Sequence, residues 1–158
     1  MTDARFEDGA ERPLRLIAQD ADGLPVISAL IQDAVLPITE MAYDRKARKL
    51  SLLLNRFRWE DRPAAERRGR VVERVRSVLT IADIRRLSTQ GIDRDDRDTV
   101  LSVLTLSWHP GEDGTGRVVL TLAGDGAIAA DVECLDLTLT DVTRPYRAPS
   151  GKAPSHPE

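Results

Sequence analysis

The stretch "RKLSLLLNRFRWE", Arg48–Glu60, decides how the rest of the chain is read. Polar and apolar residues alternate with period two, the pattern of a strand with one face turned to a core. Leu50, Leu52 and Leu54 share a face that runs on into Arg56, Arg58 and Glu60. Leu53 and Asn55 share the other, which runs on into Phe57 and Trp59. The chain has four Phe and Trp residues in all, and two stand here. The first face is expected to leave the core at Arg56, where it turns from apolar to charged. The second is expected to stay apolar to its end.

Two arginines on one face of a strand lie about 6.8 Å apart, close enough to converge on one phosphate or carboxylate. Arg56 and Arg58 are therefore candidate anion ligands, with Asn55 and Trp59 beside them. The competing reading pairs Arg56 and Arg58 with Glu60, Asp61 or acids across the sheet, and leaves Phe57 and Trp59 to plug the end of the core. Asn55, flanked by leucines, is expected to be partly buried and to need partners for its amide.

The charged turn "DRKAR" (44–48) joins this strand to an earlier one, "ITEMAYD" (38–44). Further upstream, "LRLIA" (14–18) alternates as a short strand. In "DGLPVISALIQDAVLP" (22–37) Leu24, Ile27, Leu30, Ile31, Ala34 and Val35 form one helical stripe. Asp22 is the expected N-cap, Pro25 sits in the first turn, and Pro37 is the expected stop.

Downstream, "DRPAAERRGR" (61–70) reads as a polar loop. "VVERVRSVLTIADIRRLSTQG" (71–91) reads as one bent strand or two strands with a bulge. "IDRDDRD" (92–98) is a solvated loop, and "TVLSVLTLSW" (99–108) is a strand. "RVVLTLAG" and "AIAADV" flank Asp125-Gly126, a two-residue hairpin signal. "VECLDLTLTDV" (132–142) fits a strand through Leu135, Leu137 and Leu139, and a helical face through Val132, Leu135, Leu139 and Val142. Strand, helix, then about six strands with short connections imply an α+β domain. Its sheet is expected to be curled and mostly antiparallel, or a partial barrel. Residues 1–13 read as a flexible leader, 14–147 as a single domain and 148–158 as a flexible tail.

The 158 residues carry a net charge of −3, which gives no electrostatic footprint for nucleic acid. The chain has 20 Arg against 3 Lys, a bias that suits oxyanion recognition but also follows from GC-rich coding. One cysteine, Cys134, excludes an internal disulfide and zinc sites built on Cys pairs. It is expected to be a small buried core residue. The polar start lacks a secretory h-region, and no run approaches a membrane span, so a cytoplasmic protein is expected. His109 and His156 show no metal-ligand spacing, and no nucleophile elbow or phosphate loop is present. No catalytic set, metal or cofactor is therefore predicted.

"LRLIAQDADGLPVISALIQDAV", "LLLNRFRWE", "VRSVLTIADIRRLSTQGI", "LAGDGAIAADVECLDLTLTDV" and "PSHP" together resemble an uncharacterised alphaproteobacterial family, a domain of unknown function, from about Leu14 to His156. The chain departs from that pattern at Leu122–Gly126 and at Tyr146. The resemblance implies a small bacterial cytoplasmic protein and carries over no site residues. It tilts the last element toward a C-terminal helix, and the strand count looks like a pleckstrin-homology-type roll. A full core pattern without a catalytic set points to a non-enzymatic binding or protein-interaction module. Such a module would take a protein partner or a second copy. The alternative is a small-anion or phosphometabolite site on Arg56 and Arg58.

Overall fold

The structure is a computed structural model that describes residues 13–147. The leader up to residue 12 and the tail 148–158 lie outside the described residues. The strands are β1 (Arg15–Ala18), β2 (Val35–Pro37), β3 (Met41–Asp44), β4 (Lys49–Phe57), β5 (Glu73–Ile81), β6 (Ile84–Gln90), β7 (Val100–Pro110), β8 (Gly116–Leu122), β9 (Ala127–Val132), β10 (Leu137–Asp141) and β11 (Tyr146–Arg147). The helices are α1 (Leu24–Leu30) and α2 (Arg62–Arg67). The class is α+β, as the sequence implies. All pairs are antiparallel, and the sheet follows the path β1-β10-β5-β4-β2-β7-β8-β9-β6, with β11 on β5 and β3 on β4.

The β4–β5 pair is the spine, in continuous register from Leu50↔Ile81 to Phe57↔Arg74. Strict alternation sends Leu50, Leu52 and Leu54 inward from β4, Val75, Ser77, Leu79 and Ile81 from β5, and Leu137, Leu139 and Asp141 from β10. β8 and β9 add Val118, Leu120, Leu122, Ile128, Ala130 and Val132 to the same core. α1 packs on β7 and closes one side of the core with Leu24, Ile27 and the following Ile31. Each fully buried Leu or Ile contributes about 1.5–3 kcal/mol, an upper figure because the unfolded chain is itself partly collapsed.

The sheet curls but does not close. One edge of β4 is shared by two short strands: β3 along Lys49–Leu52 and β2 at Asn55. A 3₁₀ turn, Ile38–Glu40, separates them, and Pro37 has no N–H to carry the ladder through. β2 passes the sheet on to β7, whereas β3 has no second partner. At the far end β6 pairs with β9 alone. These two free edges are drawn together where the Ile84 N–H donates to the carbonyl of Arg48, in the turn after β3, at 3.1 Å. Beside it, Arg48 grips Glu133 through two bonds, at 2.7 and 3.3 Å.

Several local expectations need correction. α1 ends at Leu30, well before Pro37, because the chain turns over residues 31–33 and Asp33 takes a left-handed φ of 63°. Its N-cap is Gly23 without a side-chain cap; Asp20, not Asp22, supplies the carboxylate, accepting from the N–H groups of Asp22 (3.1 Å) and Gly23 (2.8 Å). The expected polar loop 61–70 contains α2. Pro63 opens it, and Gly69 at φ 64° closes it, with Gly69 N–H donating to Glu66 and Arg70 N–H to Ala65. Both bonds belong to the Schellman pattern.

The segment 71–91 is two strands, broken where Asp83 adopts φ 58°. In the β8–β9 hairpin the left-handed pair is Gly124-Asp125, not Asp125-Gly126. The ambiguous last element is strand β10, because insertion between β1 and β5 satisfies both its backbone edges and buries both leucines. No C-terminal helix follows it among the described residues; the last element there is β11, paired with β5.

The Trp108 side chain of β7 lies across Gly116 of β8. A Cβ at Gly116 would overlap the Trp108 ring and sit 2.7 Å from the His109 carbonyl oxygen. Gly116→Ala should therefore cost about 1–3 kcal/mol in urea unfolding, the usual range for overpacking. A loss below about 0.5 kcal/mol would contradict this packing.

Candidate functional site

The sequence candidates separate in space. The core does not end at Arg56; it takes the side chain in. Arg56 has 0 % exposure and follows Leu54 on the inward face of β4. Its Nε–H donates to Ser77 Oγ (2.9 Å) and Asp141 Oδ1 (3.3 Å). Nη1 donates to the Phe57 carbonyl (3.1 Å) and Glu60 Oε1 (2.9 Å), and Nη2 to Glu60 Oε2 (2.9 Å) and both Asp141 oxygens (3.1 and 3.2 Å). Ser77 Oγ–H donates to Asp141 Oδ1 at 2.6 Å, and the Leu14 N–H to Asp141 Oδ2 at 3.0 Å. Burial disfavours the Arg56 charge, but the bonds and charges of Glu60 and Asp141 outweigh it and hold the guanidinium charged more firmly than usual. The cluster ties β1, β4, β5 and β10 together.

The strand ends at Phe57, so Arg58 does not continue the Arg56 face; its ψ of 71° turns the chain into a 3₁₀ turn. Arg58 pairs with Asp61 (3.6 Å) and Glu73 (3.0 Å), and Arg70 grips Asp61 at 2.6 and 3.1 Å. Trp59 lies 5.3 Å from Phe57, between ring centroids, under Arg62, and its Nε1–H donates to the Gln32 carbonyl at 2.9 Å. Phe57, Ala65 and Val72 form a second small core that Trp59 covers. Asn55 faces the opposite side of β4, beside a cavity of about 250 Å³ with Val35, Pro37 and Val100. It is half-buried, and its Oδ1 is buried with no partner. Arg56, Arg58, Asn55 and Trp59 thus do not line one cavity.

Cys134 is exposed rather than buried. Its thiol donates to Asp83 Oδ2 at 3.1 Å; that bond first, then burial and nearby acids, push the thiol up, away from the reactive thiolate. His109 bonds Ser107 Oγ at 3.0 Å. Among the described residues no His, Cys, Asp or Glu group is placed to hold a metal, and no helix is long and apolar enough to cross a membrane.

A cleft of about 480 Å³ opens where β3 and β6 diverge from the Arg48–Ile84 contact. Ile38, Leu50 and Ile128, all part of the buried interior, form its floor, and Met41, Tyr43 and Leu87 its walls. Thr39 and Thr89 add hydroxyls, and Arg94, Asp95 and Arg97 of the 92–98 loop stand at its mouth. That volume falls within the usual range for small-molecule sites. The sequence reading passed over this loop as solvent-facing. Its signal is the tandem "DRDDRD" (93–98): Asp93 accepts from the Asp95 N–H (3.0 Å) and Asp96 from the Asp98 N–H (3.2 Å). These Asx turns occupy two carboxylates and leave the intervening arginines exposed, with no ion pair or hydrogen bond to another described residue.

Fold and site together define an open, curled antiparallel sheet with a ligand-sized cleft at its seam. The chain belongs to DUF2948, a family of proteins of unknown function whose profile matches residues 14–156. No curated protein matches the chain. No solved structure matches it either.

Removing Asp141 leaves the buried Arg56 charge with Glu60 alone and takes the acceptor from Ser77 Oγ–H and the Leu14 N–H. Asp141→Ala should cost about 3–5 kcal/mol in urea unfolding, whereas Arg56→Met with Asp141→Leu should cost less than that single change. A mild Asp141→Ala would contradict the burial of Arg56. Asp61 is held below its usual value of 3.8, chiefly by the Arg70 bond, with burial opposing and Arg58 assisting. Its contribution is complete above the unfolded value near pH 4 and is lost as pH falls through the lower folded value. Asp61→Asn should therefore flatten the fall of stability below about pH 4; an unchanged acid limb would argue against these ion pairs.

Proposed function

We propose that the chain is a non-enzymatic, cytoplasmic binding module that takes a small ligand with an apolar body in the cleft between β3 and β6. The observation that carries this reading is the cleft itself: a ligand-sized opening reaching core side chains where the edges of β3 and β6 stay unpaired. The half-buried walls Met41, Tyr43 and Leu87 gain by being covered, since apolar area removed from water yields about 25 cal/mol per Å². Leu50 and Ile128 of the floor stand on strands, and Ile38 on the 3₁₀ turn, where its N–H is bonded to the Thr99 carbonyl. The cleft is therefore formed before a ligand arrives, and little conformational entropy is lost on binding.

The free edges of β3 and β6 favour a second reading, in which a strand from a protein partner or a second copy adds to the sheet. Light scattering over a concentration series separates the two: the cleft reading predicts a mass that does not change with concentration, and edge pairing predicts one that rises.

Nile red, a neutral apolar dye, tests the cleft directly. It should bind saturably at one site, and Thr89→Trp, which fills the mouth from an exposed position on β6, should weaken it by about tenfold, or about 1.4 kcal/mol. Absence of saturable binding, or equal binding by the variant with an unchanged melting temperature, would sink the reading.

A further inference from the structure

We infer that the ligand class suited to the seam cleft is an alkyl monocarboxylate: an apolar chain laid along the floor with its carboxylate held at the mouth by Arg94 and Arg97. The inference rests on the cleft reading above and adds to it the chemistry of the head group.

Charge balance at the mouth supports an anion. Arg94 and Arg97 supply two positive charges and Asp95 one negative, so the lining carries one net positive charge. The loop's other acids, Asp93, Asp96 and Asp98, keep their charge but stand outside the lining, and Asp93 and Asp96 each turn one oxygen to a backbone N–H, so the donors that face the cleft are those of Arg94 and Arg97. Neither guanidinium makes an ion pair or hydrogen bond with another described residue, and both are exposed.

Geometry supports the same orientation. Ile92, immediately before the arginines, packs on the main core, and the Ile38 N–H donates to the Thr99 carbonyl at 2.9 Å. The loop is therefore anchored at both ends, and its arginines stay at the rim. A guanidinium offers two parallel N–H groups that match the two oxygens of a carboxylate, so one arginine can bind bidentately while the other neutralises. Below the rim the lining turns apolar. Leu87 and Met41 face each other from the two free edges, and Ile38, Leu50 and Ile128 close the bottom. A fully charged ligand would leave the half-buried Met41, Tyr43 and Leu87 uncovered, and a wholly apolar one would leave the arginines unused. An amphiphile with its charge at one end satisfies both. Thr39, Thr89 and the Tyr43 hydroxyl remain to position it.

The probe is decanoate, compared with decanol, on the full chain below the micellar range of decanoate and the solubility limit of decanol, read by calorimetry and by displacement of Nile red. Decanoate should bind at least roughly fivefold more tightly than decanol, a modest factor because both arginines are exposed and screened by solvent. Arg94→Gln with Arg97→Gln should shrink the difference to less than about twofold while leaving decanol binding and the melting temperature unchanged. Arg94→Lys with Arg97→Lys should keep part of the preference, since charge is retained but the paired donors are lost. Raised salt should narrow the gap in the native protein.

Equal affinity for the two probes, or a preference that survives the double glutamine variant, would overturn the carboxylate assignment. The cleft reading would then still stand, provided both compounds displaced Nile red. If Nile red itself does not bind, the cleft reading falls and this inference with it.

Discussion

A guanidinium at 0 % exposure, held between an aspartate and a glutamate, is the constraint on which the fold depends. Leu50, Leu52 and Leu54 fill the inward face of β4, and the next inward position is Arg56. The neighbouring strands answer it in register. Ser77 lies opposite Leu54 on β5, and Asp141 lies opposite Ser77 on β10. A one-residue slip of β4 against β5, or of β5 against β10, would turn these polar groups to opposite faces and leave the Arg56 charge buried without its partners. The apolar stripe makes the sheet stable; the polar row at its end makes one register far better than its neighbours. The bond from Leu14 N–H to Asp141 extends the same selection to β1.

That fixed half explains the open half. With β4, β5, β10 and β1 locked, the other edge of β4 has to serve two directions. β2 takes it toward β7, and β3 takes it nowhere. Pro37 and the 3₁₀ turn after it make the split, and the Arg48–Ile84 contact draws β6 back toward β3 at one end. The result is a wedge whose narrow end is hydrogen-bonded and whose wide end reaches down to core side chains. The cleft follows from the failure of one sheet to close, and no inserted element is needed to build it.

Alternation made the central strands legible. β4, β7, β8 and β9 lie close to where period-two patterning puts them, because each buries one face. Patterning misled where chemistry competed with it. It took Arg56 as the exit from the core, since an arginine on a strand is usually exposed; its partners Ser77 and Asp141 lie 21 and 85 residues away, beyond the reach of local pattern. It extended the alternation through Arg58, although the strand had ended at Phe57. α2 has a readable frame, Pro63 at the start and Gly69 past the end, but buries only Ala65, so its charged sequence carries no apolar stripe. The cleft was hidden for another reason: Met41, Leu87 and Arg94 come from three separate elements, and only the curl of the sheet brings them together.

The charge in "NRFRWE" therefore works inside the fold, and the proposed binding surface lies at the seam. A two-dimensional ¹H–¹⁵N NMR titration of the native chain with decanoate tests that division most directly. Shifts should concentrate on residues 38–43, 87–89 and 94–97, while the Arg56 Nε–H and Trp59 Nε1–H signals stay still and slow to exchange with solvent. Movement centred on Asn55, Arg56, Arg58 and Trp59, with the seam unchanged, would contradict it.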